Sequence, residues 1–201
     1  MVANAGTQAG EDAGGNADAR SRDYQNLQKA HMLLARKVRI YEQIHTLFLR
    51  PRRLDENMEK VMDILLQDMD VEAGSILLID PEANEFFFAS TRGPVAEEIK
   101  KVRFPANRGI AGAAAEGRRP LAVSDVNRDP RFYREITDQL GFEVRSLLAV
   151  PILLDGESIG VVELINKRQG DDFLHQEVEA VEKASGLLAT LIALGEHLGE
   201  S

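Results

Sequence analysis

The chain predicts an α+β domain: a mostly antiparallel sheet with helices gathered on one face. Three observations carry that expectation. Two apolar runs, Ser146–Leu154 and Ser158–Ile165, flank Asp155-Gly156. Asp-Gly between such runs is a strong hairpin signal, because both central turn residues need positive φ and these two tolerate it. Two further strand-like runs, Ser75–Asp80 and Glu85–Ser90, are joined by the turn formers Pro81-Glu82-Ala83-Asn84. Helical three-four spacing of apolar residues lies before and after these strands.

Residues 1–22 are expected to form a disordered tail. Its first 19 residues are mostly small or polar and bury too little apolar surface to offset ordering entropy. A helix follows over 23–49. Tyr24, Leu27, His31, Leu34, Val38, Tyr41, His45 and Phe48 make one heptad seam, and Ala30, Leu33, Lys37, Ile40, Ile44 and Leu47 a second beside it. Two adjacent seams suit two neighbours, the helix's own domain and a symmetry mate. Pro51 ends this helix. Asp55 is a candidate N-cap for the next, whose apolar face is Met58, Val61, Met62, Leu65, Leu66 and Met69.

Beyond the first strand pair, a short strand is expected over Val102–Phe104 and an Ala-rich helix over Arg108–Gly117. Leu121–Ser124 reads as another strand, and Arg131–Leu140 as a helix after the polar turn Asp125–Pro130. The last helix, 174–198, carries the seam Val178, Val181, Ser185, Leu188 and Ile192. Leu147–Leu154 is apolar at every position, whereas a strand wet on one face would alternate. Both faces must therefore be covered, one by the terminal helices and the other by the irregular segment Phe104–Gly141. Such a cap is where a small-ligand pocket can form.

Composition removes several functions. There is no cysteine among the 201 residues, so disulfides, thiolate nucleophiles and thiolate metal sites are absent. Net charge is −9, and the acids concentrate after residue 60, which argues against nucleic acid as a partner. The N-terminus lacks the apolar core of a signal peptide, and Leu187–Leu194 falls far short of the ~20 residues of a membrane span. A cytoplasmic protein without a membrane span is expected. No nucleophile–base pair, metal-ligand spacing or phosphate-cradling glycine loop is visible, so no catalytic residue and no metal site is assigned.

From about Leu54 to Leu194 the chain resembles a GAF domain. The resemblance rests on ordered motifs: SILLID and EFFFAS, NRGIAGAAAEGRRPLAVSDVNRDPRF, RSLLAVPIL, DGESIGVVELINK, and Phe173 followed by Glu177. It implies a GAF/PAS-like (profilin-like) fold and a stand-alone, non-catalytic bacterial regulatory module. The organisation expected is a tail over 1–22, a heptad dimerisation helix over 23–53 and the domain proper over 54–198. Asn166, Lys167, Phe173 and Glu177 match the family's Asn-Lys…Phe…acid signature, but Val178 replaces its last Glu, which weakens the case for a cyclic nucleotide. A Lys167–Glu177 pair tying strand end to helix start is the favoured reading. Covalent bilin attachment and sulfoxide reduction both use cysteines in this family and are excluded. A non-covalent small ligand is the cofactor that the resemblance leaves open.

The candidate ligand contacts are Phe104, Ser124, Asp125, Asn127, Phe132, Arg145, Glu163 and Ile165. Glu163 is the sharpest anomaly, because it shares a strand face with Ile159, Val161 and Ile165. A carboxylate there must meet a donor or a polar cavity. It serves either as a ligand acceptor or as half of a salt bridge to Arg145 or Arg103. Ser124, Asp125 and Asn127 either line a pocket mouth or cap the following helix. Phe104, Phe132 and Phe142 either wall a cavity or fill a core. The function expected is a sensor that binds a small, nucleotide-like molecule and signals through a homodimeric bundle of 23–49 and 174–198. The alternative is a ligand-free dimerising adaptor for a signalling protein such as a histidine kinase or cyclase.

Overall fold

The computed structural model describes residues 11–49, 53–170 and 172–199. It divides into two units, residues 1–38 and 39–201. The helices are α1 (Glu11–Phe48), α2 (Leu54–Met69), α3 (Ala96–Ile99), α4 (Gly109–Gly117), α5 (Arg134–Leu140) and α6 (His175–Gly199). The strands are β1 (Val71–Asp80), β2 (Glu85–Arg92), β3 (Arg103–Pro105), β4 (Leu121–Val123), β5 (Leu147–Leu154) and β6 (Glu157–Lys167).

In the first unit the described residues are helical. Tyr24, Leu27, Leu34 and Val38 of the first seam are between 46% and 68% exposed. The helix starts at Glu11, not at residue 23, so residues 11–22 are helical where disorder was expected. Extending an existing helix adds one hydrogen bond per residue fixed, which costs far less than nucleating a new one. Residues 1–10 lie outside the described residues.

In the second unit, the hairpin sets the centre of the sheet. Asp155 and Gly156 take φ of 50° and 83°, the left-handed pair that matches strand twist. The six strands run in the order β3-β2-β1-β6-β5-β4, and every neighbouring pair is antiparallel. The end of α1, α2 and α6 cover one face. Ile40, Ile44, Leu65, Leu148, Leu164 and Leu188 meet there, all fully buried. The segment from β3 to the start of β5 covers the other face, where Phe86, Phe104, Ile110, Ala114 and Val161 pack. Leu147–Ile152 is buried at every position, as its unbroken apolar run requires.

Some boundaries move. Arg53, with extended backbone, takes the N-cap place expected of Asp55. Leu54 packs against the helix-side core and draws the helix start back, leaving the Asp55 carboxylate to accept the Glu56 N–H at 2.9 Å. The expected helix over 131–140 starts late, at Arg134, and the polar turn before it contains a 3₁₀ turn at Val126–Arg128. The Asp129 carboxylate accepts the Arg131 N–H at 2.9 Å, a local turn that delays the helix. The four-residue α3 between β2 and β3 had no periodic signal to announce it.

Candidate functional site

Register places the Glu163 side chain on the sheet face under the cap. Glu163 pairs with Ser75 of β1 on one side and Ala149 of β5 on the other, and Ser75 pairs in turn with Thr91 of β2. Cross-strand partners point to the same face, so Thr91, Ser75 and Glu163 form a short polar row under the cap. Thr91 Oγ1 donates to the Ala96 carbonyl at 2.9 Å. Ser75 Oγ donates to Glu163 Oε2 at 3.4 Å, a long and weak contact.

Glu163 lines a cavity of about 70 Å³ between the sheet and the cap. Glu163 is half-buried and keeps part of its surface accessible. Phe88 of β2, Phe104 of β3, Ile110 of α4, Phe132, Tyr133 and Ile136 around α5, and Ile165 of β6 complete most of the lining. Glu163 is the only charged residue among the described lining residues, and no cation pairs with it among the described residues. Burial pushes its carboxyl up from 4.5 to about 7, and the Ser75 hydrogen bond offsets this only weakly. A second, smaller cavity of about 30 Å³ shares the walls Ile99 and Ile165 and adds Ser75, Thr91 and Phe142.

The structure brings Phe104, Phe132, Glu163 and Ile165 together in one lining and leaves Ser124, Asp125, Asn127 and Arg145 outside it. The Asp125 carboxylate accepts the Asn127 N–H at 3.0 Å and caps the 3₁₀ turn. Ser124 donates to Asp172, and the Asn127 carbonyl accepts from Arg134 at 3.1 Å. The salt bridge expected for Glu163 is not made. Arg145 pairs with Glu72 at 3.0 Å and Arg103 with Asp80 at 2.9 Å. Arg145 precedes β5 beside the ends of β1 and β6, and β3 sits at the sheet edge, so Glu72 and Asp80 are the nearer acids. Tyr133, Ile136 and Thr137 also line the cavity and were not singled out from the sequence. Their signal was the helical spacing of one side of α5. Ser75 had none, because only register brings it to Glu163.

A second constellation lies at the end of β6. Asn166, fully buried with φ of 57°, donates to Glu72 at 2.9 Å and to the Glu143 carbonyl at 2.8 Å. Its side-chain oxygen accepts the Arg145 N–H at 2.7 Å. The Asn166 amide first, and then the Arg145 guanidinium, hold the Glu72 carboxyl below the usual carboxylate range. The Lys167 ammonium meets the buried Glu177 carboxylate and lies 5.7 Å from the Phe173 ring centre. Glu177 also accepts the Leu174 N–H at 2.9 Å, which is half of a capping box at the start of α6. The four signature residues thus clasp strand end to helix start. Within it Lys167 pairs with Glu177, while Asn166 is bonded to Glu72, Glu143 and Arg145.

No group of three or more His, Asp or Glu side chains suited to a metal occurs among the described residues, and no helix there is long and apolar enough to cross a membrane.

A curled antiparallel sheet with terminal helices behind it and an irregular cap over a small cavity defines a regulatory sensor-domain architecture. The GAF domain family model matches residues 53–192, and the chain belongs to that family. A probable 3',5'-cyclic phosphodiesterase, pde-5, of Caenorhabditis elegans is 29% identical over 138 residues, 64% of this chain and 19% of that protein. The cone cGMP-specific 3',5'-cyclic phosphodiesterase subunit alpha' of Mus musculus is 35% identical over 95 residues, 47% of this chain and 11% of that protein. The chain therefore spans less than a fifth of each of these relatives. Among solved structures, the GAF domain of a phosphoenolpyruvate-protein phosphotransferase from Coxiella burnetii superposes with a TM-score of 0.75 at 21% identity, over 83% of this chain and 98% of that one. The free methionine-R-sulfoxide reductase of Neisseria meningitidis gives 0.69 at 20% identity, over 81% and 91% of the two chains.

Proposed function

We propose that this GAF domain is a non-catalytic cytoplasmic sensor. It binds a small molecule in the cavity under α4 and α5, with Glu163 as the polar anchor on its floor. The observation that carries the reading is a carboxyl facing an apolar cavity without a cation partner among the described residues. Buried charges are ordinarily paired, so a site that leaves one unpaired is organised for something else to meet it. Phe104, Phe132 and Ile165 give the apolar contact. The cavity of about 70 Å³ is several-fold below the ~300 Å³ at the low end for drug-sized ligands, which favours a ligand smaller than a nucleotide.

In this proposal the domain proper covers 54–198, and the segment 23–53, which carries the heptad seams, joins two copies. The exposed seam Tyr24, Leu27, Leu34 and Val38 supports a helical bundle between copies. So does the open groove lined by Tyr41, His45, Gly186 and Leu187. Occupancy is read out as a shift between packings of that bundle, and a ligand does this only by binding one packing better than the other. The output passes to a signalling partner.

Native mass spectrometry of the full chain tests both parts. The expected species is twice the 22.2 kDa chain mass with a small added mass that Glu163→Gln loses. A monomer would overturn the bundle. A second reading, a ligand-free adaptor, is favoured by the same small volume. It predicts a dimer with no added mass and no ligand-dependent melting shift.

A further inference from the structure

Glu163 has two carboxylate oxygens and one weak donor, Ser75 at 3.4 Å. The cavity supplies no counter-charge from its own walls, while Phe88, Phe104, Phe132 and Tyr133 present four aromatic rings to it. Rings attract cations through their negative faces, and a buried carboxylate needs a positive partner. The cavity is compact, at about 70 Å³. That is room for a compact body, not for a sugar or a base.

Resting on the sensor reading above, we propose that the ligand is a small primary amine, bound as its ammonium ion against the Glu163 carboxylate with a short apolar tail between Phe104, Phe132 and Ile165. Three ammonium donors match the two carboxylate oxygens and the Ser75 hydroxyl oxygen, which accepts while its own proton stays on Glu163. A neutral alcohol satisfies the hydrogen bonds but leaves the charge uncompensated. An anion meets the carboxylate with like charge.

Binding of an ammonium requires ionised Glu163. Burial holds that carboxyl near 7, so amine binding below that pH expels its proton to solvent. The charged groups on the surrounding elements are committed or outward-facing. Glu72 is paired with Arg145, and Arg92 with Asp63. Arg108 and Arg134 are exposed and lie over the Tyr133 and Phe132 rings at 5.1 and 5.6 Å. Solvent and salt screen those two guanidiniums, whereas Glu163 faces the cavity.

Isothermal titration calorimetry of the full chain with propylamine and isobutylamine, against propan-1-ol and propionate, tests the assignment. The expected result is saturable amine binding at pH 8, weak because so few atoms make contact. It falls about tenfold per pH unit below 7. Glu163→Gln should weaken it tenfold or more while its melting curve remains cooperative. The pH slope of the unaltered protein tests the same coupling without any variant. Alcohol or propionate binding that depends on Glu163, with amines inert, would overturn the amine assignment and leave the sensor reading standing. Amine binding that is flat in pH and indifferent to Glu163→Gln would also overturn it. If none of the four probes binds and native mass spectrometry finds no added mass, both readings fall.

Discussion

The two faces of the sheet are built to different rules. The helix side is a dry aliphatic core in which long helices press Ile40, Ile44, Leu65 and Leu188 onto Leu148 and Leu164, all with no residual exposure. The cap side is assembled from short pieces. No residue of α5 is buried, a cavity remains beneath it, and one carboxyl faces that space. One face is close-packed, while the other leaves a small cavity unfilled. Interiors normally close-pack, so the unfilled side is where stability has been forgone.

Four substitutions sharpen or break that contrast, from the largest expected effect to the smallest. Lys167→Ala removes the ammonium that meets the buried Glu177 carboxylate at the start of α6, and should cost about 3–5 kcal/mol in urea unfolding. A loss below about 1 kcal/mol would mean that the clasp is not structural. Leu148→Ala on the helix side should cost about 2–5 kcal/mol and lower the melting temperature accordingly. A cheap Leu148→Ala would show that face to be as loosely packed as the other.

Glu163→Gln should act in the opposite direction and only at higher pH. The folded carboxyl titrates near 7, above its ordinary 4.5, so between those values the folded state holds more protons than the unfolded one. Stability then falls as pH rises from 4.5 to 7 and is flat on either side. The total is about 3 kcal/mol, and Glu163→Gln should abolish that component, making the variant more stable than the parent at pH 8 and close to it at pH 4.5. Denaturant curves at the two pH values check this, and a pH-independent difference would place a partner on Glu163. Last, Ile136→Ala on half-buried α5 should cost about 1 kcal/mol or less, with a larger change in ligand binding than in melting.

Much of this was legible along the chain. Strand pairs, both-sided burial of Leu147–Ile152 and the Asp155-Gly156 turn follow from local patterns of two and from backbone preference. The dual seam of the leading helix follows instead from three-four spacing, with Ile40, Ile44 and Leu47 buried and Tyr24 and Leu27 exposed. Glu163 and Ile165 share a strand face by alternation, whereas Phe104 and Phe132 reach the same cavity from β3 and the cap, which only the tertiary fold brings there. The polar loop Ser124–Asn127 carried no such signal, because capping a turn and lining a pocket use the same residue types. The helical residues 11–22 misled composition-based reasoning, since a helix started elsewhere propagates through indifferent sequence.

By itself the sequence determined which segments are strands, which residues face inward, and that no cysteine chemistry occurs in these 201 residues. Only the tertiary structure decided that Glu163 meets Ser75, 88 positions away, and pairs with no arginine among the described residues. It alone also decided that the cap leaves about 70 Å³ unfilled. The reason is one of range. Side-chain direction repeats with the local backbone, whereas charge pairing and packing volume depend on lateral distances between segments remote in the chain, which register and cap geometry set together.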